Sequence, residues 1–226
     1  LKVLMGMTLE EVATFKASRG CITHAVFSRD ATFLATADTE NCIGIYRLGS
    51  PGDEPSAKKD WIYLGKYQGH YQPVTGLQFG EGADGSPRLF STGEDRALVE
   101  YDLARSSVQG GIQLRNTAKV EQSAVPTGCM WLPAGVQGPE PVVVTANDQY
   151  KLRVVAPGPK AVQRTVVGPT YGGPLTRMLL LPSDDGGEEA GAAAGGGAAR
   201  YAAYATHDKV VGLMQLPLDG RPSKTM

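Results

Sequence analysis

Apolar and polar residues alternate along this chain in short runs whose period is two, not 3.6. The runs Ile22 to Ser28, Val74 to Phe79 and Val125 to Leu132 each send every second side chain to one face, as a half-buried antiparallel strand requires. Between such runs stand turn formers: Asp38-Thr39-Glu40-Asn41, Gly93-Glu94-Asp95 and Asn147-Asp148. Further strands are predicted over Phe33–Ala37, Ile43–Leu48, Leu89–Thr92, Leu98–Asp102, Val142–Ala146, Tyr150–Val155, Val162–Val167, Leu175–Leu181, Tyr201–Thr206 and Val210–Leu216. Only Leu9 to Lys16 also admits a helix. A strand is preferred there, because Ser18-Arg19-Gly20 supplies a turn at its end.

The runs recur as a unit. Gly69-His70, the strand from Val74, a second from Leu89 to the turn at Asp95, and a third ending in Tyr101-Asp102 follow the four-strand grammar of a WD-type propeller blade. Third-strand positions Tyr46, Tyr101, Val155 and Met214 lie about 54 to 59 residues apart. Ordinary blades repeat at roughly 40 to 45, so the excess is assigned to the loops Gly49–Lys59, Glu81–Pro87 and Ser183–Arg200. The expected organisation is the end of a preceding blade at 1–20, then blades at 21–69, 70–119, 120–173 and 174–220, and a tail at 221–226. The Gly/Ala-rich stretch 183–200 carries almost no side chains able to pack, and is expected to be a mobile insertion in the last blade. The fold class is therefore all-β: a WD-repeat β-propeller, about four blades of a larger ring. Leu1 is not an initiator Met, and an unfinished ring would expose strand edges. The remaining blades are accordingly expected on other parts of a longer chain.

His70, Ser91 and Asp95 are the residue types of a hydrolytic triad. A nucleophilic serine needs exposure at a sharp turn beside an oxyanion hole, and Ser91 falls inside a strand. The preferred reading is a structural network of His70, Ser91, Asp95 and Tyr101 that satisfies buried polar groups. The pattern decays elsewhere: Glu40 and Gln149 stand at the turn position of two other blades, and Asp208 restores the aspartate in the last. No catalytic residue is expected.

Composition narrows the alternatives. In 226 residues, 22 basic and 23 acidic side chains nearly cancel, which removes the footprint of a nucleic-acid or anionic-membrane partner. The densest basic spot, Lys58-Lys59, reads as a solvated turn. Cys21, Cys42 and Cys129 form no CxxC pair and suit a reducing compartment. His24, His70 and His207 fall in different blades without metal-ligand spacing, and the Gly-rich run lacks the Gly-Lys-Ser/Thr of a phosphate loop. No metal and no cofactor are expected.

Particular wording goes beyond the general repeat: Val120 to Pro126, Asn147 to Arg153, Gly168 to Leu175, Gly69 to Val74, and Pro87 through Leu103. These stretches resemble the WD-repeat subunit of the ciliary calmodulin- and spoke-associated complex, over the whole chain. The resemblance implies a noncatalytic axonemal scaffold at the base of the third radial spoke on doublet microtubules. It implies spoke-base and complex proteins as partners, with tubulin and dynein-regulatory proteins as further candidates. A cytosolic WD adaptor, such as a ubiquitin-ligase substrate receptor, is the alternative, and an enzyme on a propeller face comes third.

Overall fold

A computed structural model describes residues 1–49, 60–156, 162–182 and 201–219, and every regular element in them is a strand. Lys58-Lys59, nearly all of the Gly49–Lys59 loop, the 183–200 insertion and the 221–226 tail lie outside the described residues. A two-stranded sheet of β1 (Lys2–Leu4) and β2 (Glu11–Thr14) comes first. Sheets of four antiparallel strands in sequence order follow: β3 (Ile22–Phe27), β4 (Phe33–Asp38), β5 (Cys42–Gly49) and β6 (Asp60–Gln68), then β7 (Val74–Glu81), β8 (Pro87–Gly93), β9 (Ala97–Ser107) and β10 (Gly111–Lys119). The next comprises β11 (Pro126–Leu132), β12 (Val142–Asn147), β13 (Lys151–Val155) and β14 (Val162–Val167). The last has three described strands, β15 (Leu175–Leu180), β16 (Tyr201–Thr206) and β17 (Val211–Gln215).

The first strands of successive sheets, β3, β7, β11 and β15, pack side by side, so the sheets stand as four blades of a β-propeller, numbered blade 1 to blade 4 from β3 onward. The core lies between blades because second and third strands are apolar on both faces. In blade 1, Ala35, Ala37, Ile43 and Ile45 face blade 2, where Leu89, Val99 and Tyr101 meet them. The opposite face, with Leu34 and Tyr46, packs on Val3 of the leading sheet and on Phe15 just after it. Phe90 and Leu98 of blade 2 meet Cys129, Val143 and Val155 of blade 3, and Val144, Leu152 and Val154 of blade 3 meet Met178, Ala202, Tyr204 and Met214 of blade 4. At ~1.5–3 kcal/mol for each large apolar side chain removed from water, these seams dominate the stability of the assembly.

Backbone devices repeat with the blades. Each first strand starts with a bulge, between Ile22 and His24, Val74 and Gly76, Pro126 and Gly128, and Leu175 and Arg177. The extra residue is threonine every time: Thr23, Thr75, Thr127 and Thr176. Thr23 Oγ1 donates to Ala37 O and Thr176 Oγ1 to Ala205 O, so in blades 1 and 4 the bulge hydroxyl adds a bond to the second strand. The turn from second to third strand holds one left-handed residue in each blade: Asn41 (φ 60°), Arg96 (69°), Tyr150 (59°) and Lys209 (65°). A backbone bond tethers that turn to the entry of the first strand: Thr39 N to Cys21 O, Glu94 N to Pro73 O, Asp148 N to Val125 O, and His207 N to Pro174 O.

Candidate functional site

A buried polar cluster sits at this turn in blade 2. Gly69-His70 ends the approach to β7, Ser91 lies mid-β8, Asp95 in the turn, and Tyr101 on β9. His70 Nδ1 is 3.0 Å from Asp95 Oδ1 and its Nε2 is 2.7 Å from Ser91 Oγ, which in turn lies 3.1 Å from the Tyr101 hydroxyl. The Asp95 carboxylate only accepts, so Nδ1–H donates to it. With the proton on Nδ1, Nε2 accepts a hydrogen bond from the Ser91 hydroxyl, and Ser91 Oγ accepts from Tyr101. Backbone N–H groups of Tyr71 and Ala97 fill the carboxylate's remaining sites. Gly69 packs directly on the Tyr101 hydroxyl, leaving no room for a side chain. Burial pushes the Tyr101 phenol far above its ordinary value, so it stays a neutral donor.

The distances from His70 to Ser91 and Asp95 would suit a triad; the burial does not. Ser91 is 0% exposed and its oxygen is shared between His70 and Tyr101, so no substrate carbonyl reaches it. The cluster bonds strand, turn and loop to one another.

Other blades solve the same local problem with other side chains. In blade 1, Asp38 Oδ1 accepts from Glu40 N and Cys42 N at 3.0 Å each, and Ser18 Oγ donates to Oδ2 at 2.6 Å. In blade 3, Asn147 Oδ1 accepts from Gln149 N and Lys151 N, while its Nδ2 donates to buried Glu121, which Arg153 grips with two nitrogens at 3.0 Å each. The working side chains are thus Asp38 and Asn147, two positions before Glu40 and Gln149, which are exposed. Asp208 does not join a buried network. It is exposed beside His207, and its backbone N–H bonds Gly172 O. The physical reason is in the preceding loop, where Gly172-Gly173 supplies no side chain for the carboxylate to meet.

A second cluster was missed in the sequence because its members are scattered over three strands and a loop. Fully buried Arg88 lies 2.8 Å from Asp102, 3.3 Å from Glu100 and 3.1 Å from Asp84, with Arg115 at 3.7 Å from both Glu100 and Asp102. Burial raises the Glu100 carboxyl above its usual value, although both arginines pull it down. Asp38, Glu40 and Cys42 bring ligand atoms within 4.8 Å of one another. The Asp38 carboxylate is already filled by Ser18 and two amides, and burial raises the Cys42 thiol, which disfavours its metal-binding thiolate. His24, His70 and His207 stay in separate blades.

No family model matches the chain. It is similar to cilia- and flagella-associated protein 251 of Tetrahymena thermophila, 29% identical over 236 residues that cover 96% of this chain and 23% of that protein. The Pongo abelii protein of that name is 32% identical over 99% of this chain and 18% of its own length, and the Mus musculus one 30% over 99% and 16%. The chain therefore spans less than a quarter of the length of these relatives. Among solved structures, a chain in a humanized mutant of the Chaetomium thermophilum Polycomb Repressive Complex 2 matches with a TM-score of 0.54 at 16% identity, over 82% of this chain and 35% of that one, a likeness of fold alone. The relatives support a cilia- or flagella-associated protein.

Proposed function

We propose, from the similarity to cilia- and flagella-associated protein 251 over 96–99% of this chain, that it is part of a noncatalytic scaffold of the ciliary axoneme, within a calmodulin- and spoke-associated complex, anchoring the third radial spoke to doublet microtubules and so supporting motility. The observation that carries the noncatalytic reading is the burial of Ser91, His70 and Asp95, the one triad-like arrangement the sequence offered. Rigid blades also display their loops at little ordering cost, as docking demands. Spoke-base proteins are the partners, with tubulin and dynein-regulatory proteins as neighbours.

Cross-linking with mass spectrometry on native axonemes tests this reading through Lys151, the first residue of β13 in blade 3, and Lys209, in the turn between β16 and β17 of blade 4. Links to spoke-base subunits, tubulin or dynein-regulatory proteins are expected. Links confined to soluble ligase or signalling proteins would replace the spoke anchor with a cytosolic adaptor.

A further inference from the structure

The three seams between blades are unequal. Among the described residues, twelve buried apolar side chains join blades 1 and 2 and sixteen join blades 3 and 4, whereas six join blades 2 and 3: Phe90, Leu98, Val120, Cys129, Val143 and Val155. Seam strength follows the apolar surface withdrawn from water, so the middle seam is the weakest of the three. One cause is a single side chain. The third-strand position filled by Tyr101 in the first seam and by Met214 in the third holds only Val155 here. A small cavity lies where a longer side chain would reach, between Phe90, Leu98 and Glu100 of blade 2 and Val143, Val155 and Ala156 of blade 3.

The other cause is charge. A β-carbon on Gly80 would run into Trp131 of blade 3, so Gly80 and its ladder partners Arg88 and Asp102 share the face turned toward that blade. Asp84, Arg88, Glu100, Asp102 and Arg115 pair with one another, and all belong to blade 2. Docking blade 3 therefore strips water from this cluster without bringing it an ion-pair partner among the described residues, and parting the faces restores that hydration. The raised Glu100 carboxyl has the same origin in burial. The innermost strands do not share the weakness. Gly76 lies so close to Cys129 that a β-carbon would sit 2.9 Å from its backbone nitrogen, and Trp131 Nε1 donates to Glu81 O at 3.2 Å. Any parting pivots on β7 and β11 and widens toward the third and fourth strands.

We propose that the seam between blades 2 and 3 is a hinge: blades 1 and 2 move as one body, blades 3 and 4 as another, and the faces of Phe90 and Val155 part reversibly while the ladders inside each blade stay intact. Loops on the two sides thereby change their spacing without any strand unfolding, which separates this motion from fraying of a blade.

Two neighbours on β13 supply the test. Val155 faces the middle seam and Val154 the seam with blade 4, and they are 1% and 2% exposed. In the intact protein, Val155→Cys and Val154→Cys are made separately, and alkylation of each new thiol by iodoacetamide in native buffer is followed by mass spectrometry, relative to its rate in urea-unfolded protein. The thiol at 155 is expected to react at least about tenfold faster than the thiol at 154, with a urea dependence shallower than that of global unfolding. Equal rates would mean that β13 is reached only by unfolding the blade, and a faster thiol at 154 would put the opening in the other seam; either overturns the proposal. Should a variant misfold, hydroxyl-radical footprinting of the unsubstituted protein compares Leu89, in the seam with blade 1, with Phe90 beside it on β8, in the seam with blade 3. Preferential oxidation of Phe90, after correction for intrinsic reactivity, supports the hinge, and equal protection refutes it.

Discussion

Gly93 lies so close to His70 that a β-carbon added to it would sit 2.6 Å from Nδ1 and 2.9 Å from Asp95 Oδ1. Its counterparts in blades 1 and 3 are Asp38 and Asn147, whose side chains cap the turn themselves. Blade 2 has moved the capping group two residues on, to Asp95, and the histidine ring fills the vacated space. Gly93→Ala is therefore expected to destabilise the protein by ~1–3 kcal/mol through overpacking. Urea denaturation reads the loss, and combining it with His70→Ala must recover part of it; full additivity would separate the glycine from the ring.

Ser91→Ala removes one oxygen that serves two partners, leaving His70 Nε2 and the Tyr101 hydroxyl buried and unmatched. The expected cost is ~1–3 kcal/mol, against ~0.5–1.5 for Tyr101→Phe, which deletes only one end of the relay. Denaturant midpoints at unchanged slope decide the order, and equal losses would mean that Ser91 contributes only its bond to tyrosine.

In blade 1 the caps discriminate between neighbours in sequence. Asp38→Ala forfeits two amide bonds and the Ser18 contact, at ~1–2 kcal/mol, whereas exposed Glu40→Ala is expected to stay within ~0.5. Thermal melts of the two variants check this, and a larger shift for Glu40 would return the turn to that residue.

Glu100 introduces a pH dependence of definite sign. Burial raises its folded carboxyl above the ordinary 4.5, so the contribution is fully present below that pH and is lost as pH rises through the folded value. Glu100→Gln is expected to gain on the unsubstituted protein from about pH 4 toward pH 7, in urea titrations at each pH. An advantage that shrinks over that range would reverse the sign. Arg88→Met, by contrast, leaves buried Glu100 and Asp102 with only the half-exposed Arg115 at 3.7 Å and is expected to cost ~3–5 kcal/mol at neutral pH.

Strand positions were legible because the alternation at Val74–Phe79 and the turn residues on either side speak to local backbone preference, which tertiary packing here does not oppose. Glu11–Thr14, where a helix competed, is a strand. His70, Ser91, Asp95 and Tyr101 could be grouped because a Gly-His pair and a turn aspartate have fixed offsets within one blade. Glu121 and Arg153 could not, since a buried carboxylate pinned from 32 residues away has no local signature. The caps Asp38 and Asn147 were overlooked by carrying Asp95's position unchanged into blades that place the polar group at the strand's end. One signal was visible but unused: the threonines at 23, 75, 127 and 176 mark each bulge at intervals of about fifty residues.

The tethers between strand entry and turn also bear on the order in which the chain assembles. Each joins segments of a single sheet, with Ser18 and Asp38 separated by 20 residues and His70 and Asp95 by 25. A sheet emerging during synthesis can close its own tether before the next has been made, which keeps unpaired edges short-lived. In native-state hydrogen exchange the amides of β1 and β2, which belong to the smallest sheet, are expected to open first, and those of β8 and β12, flanked by strands and blades on every side, to exchange last.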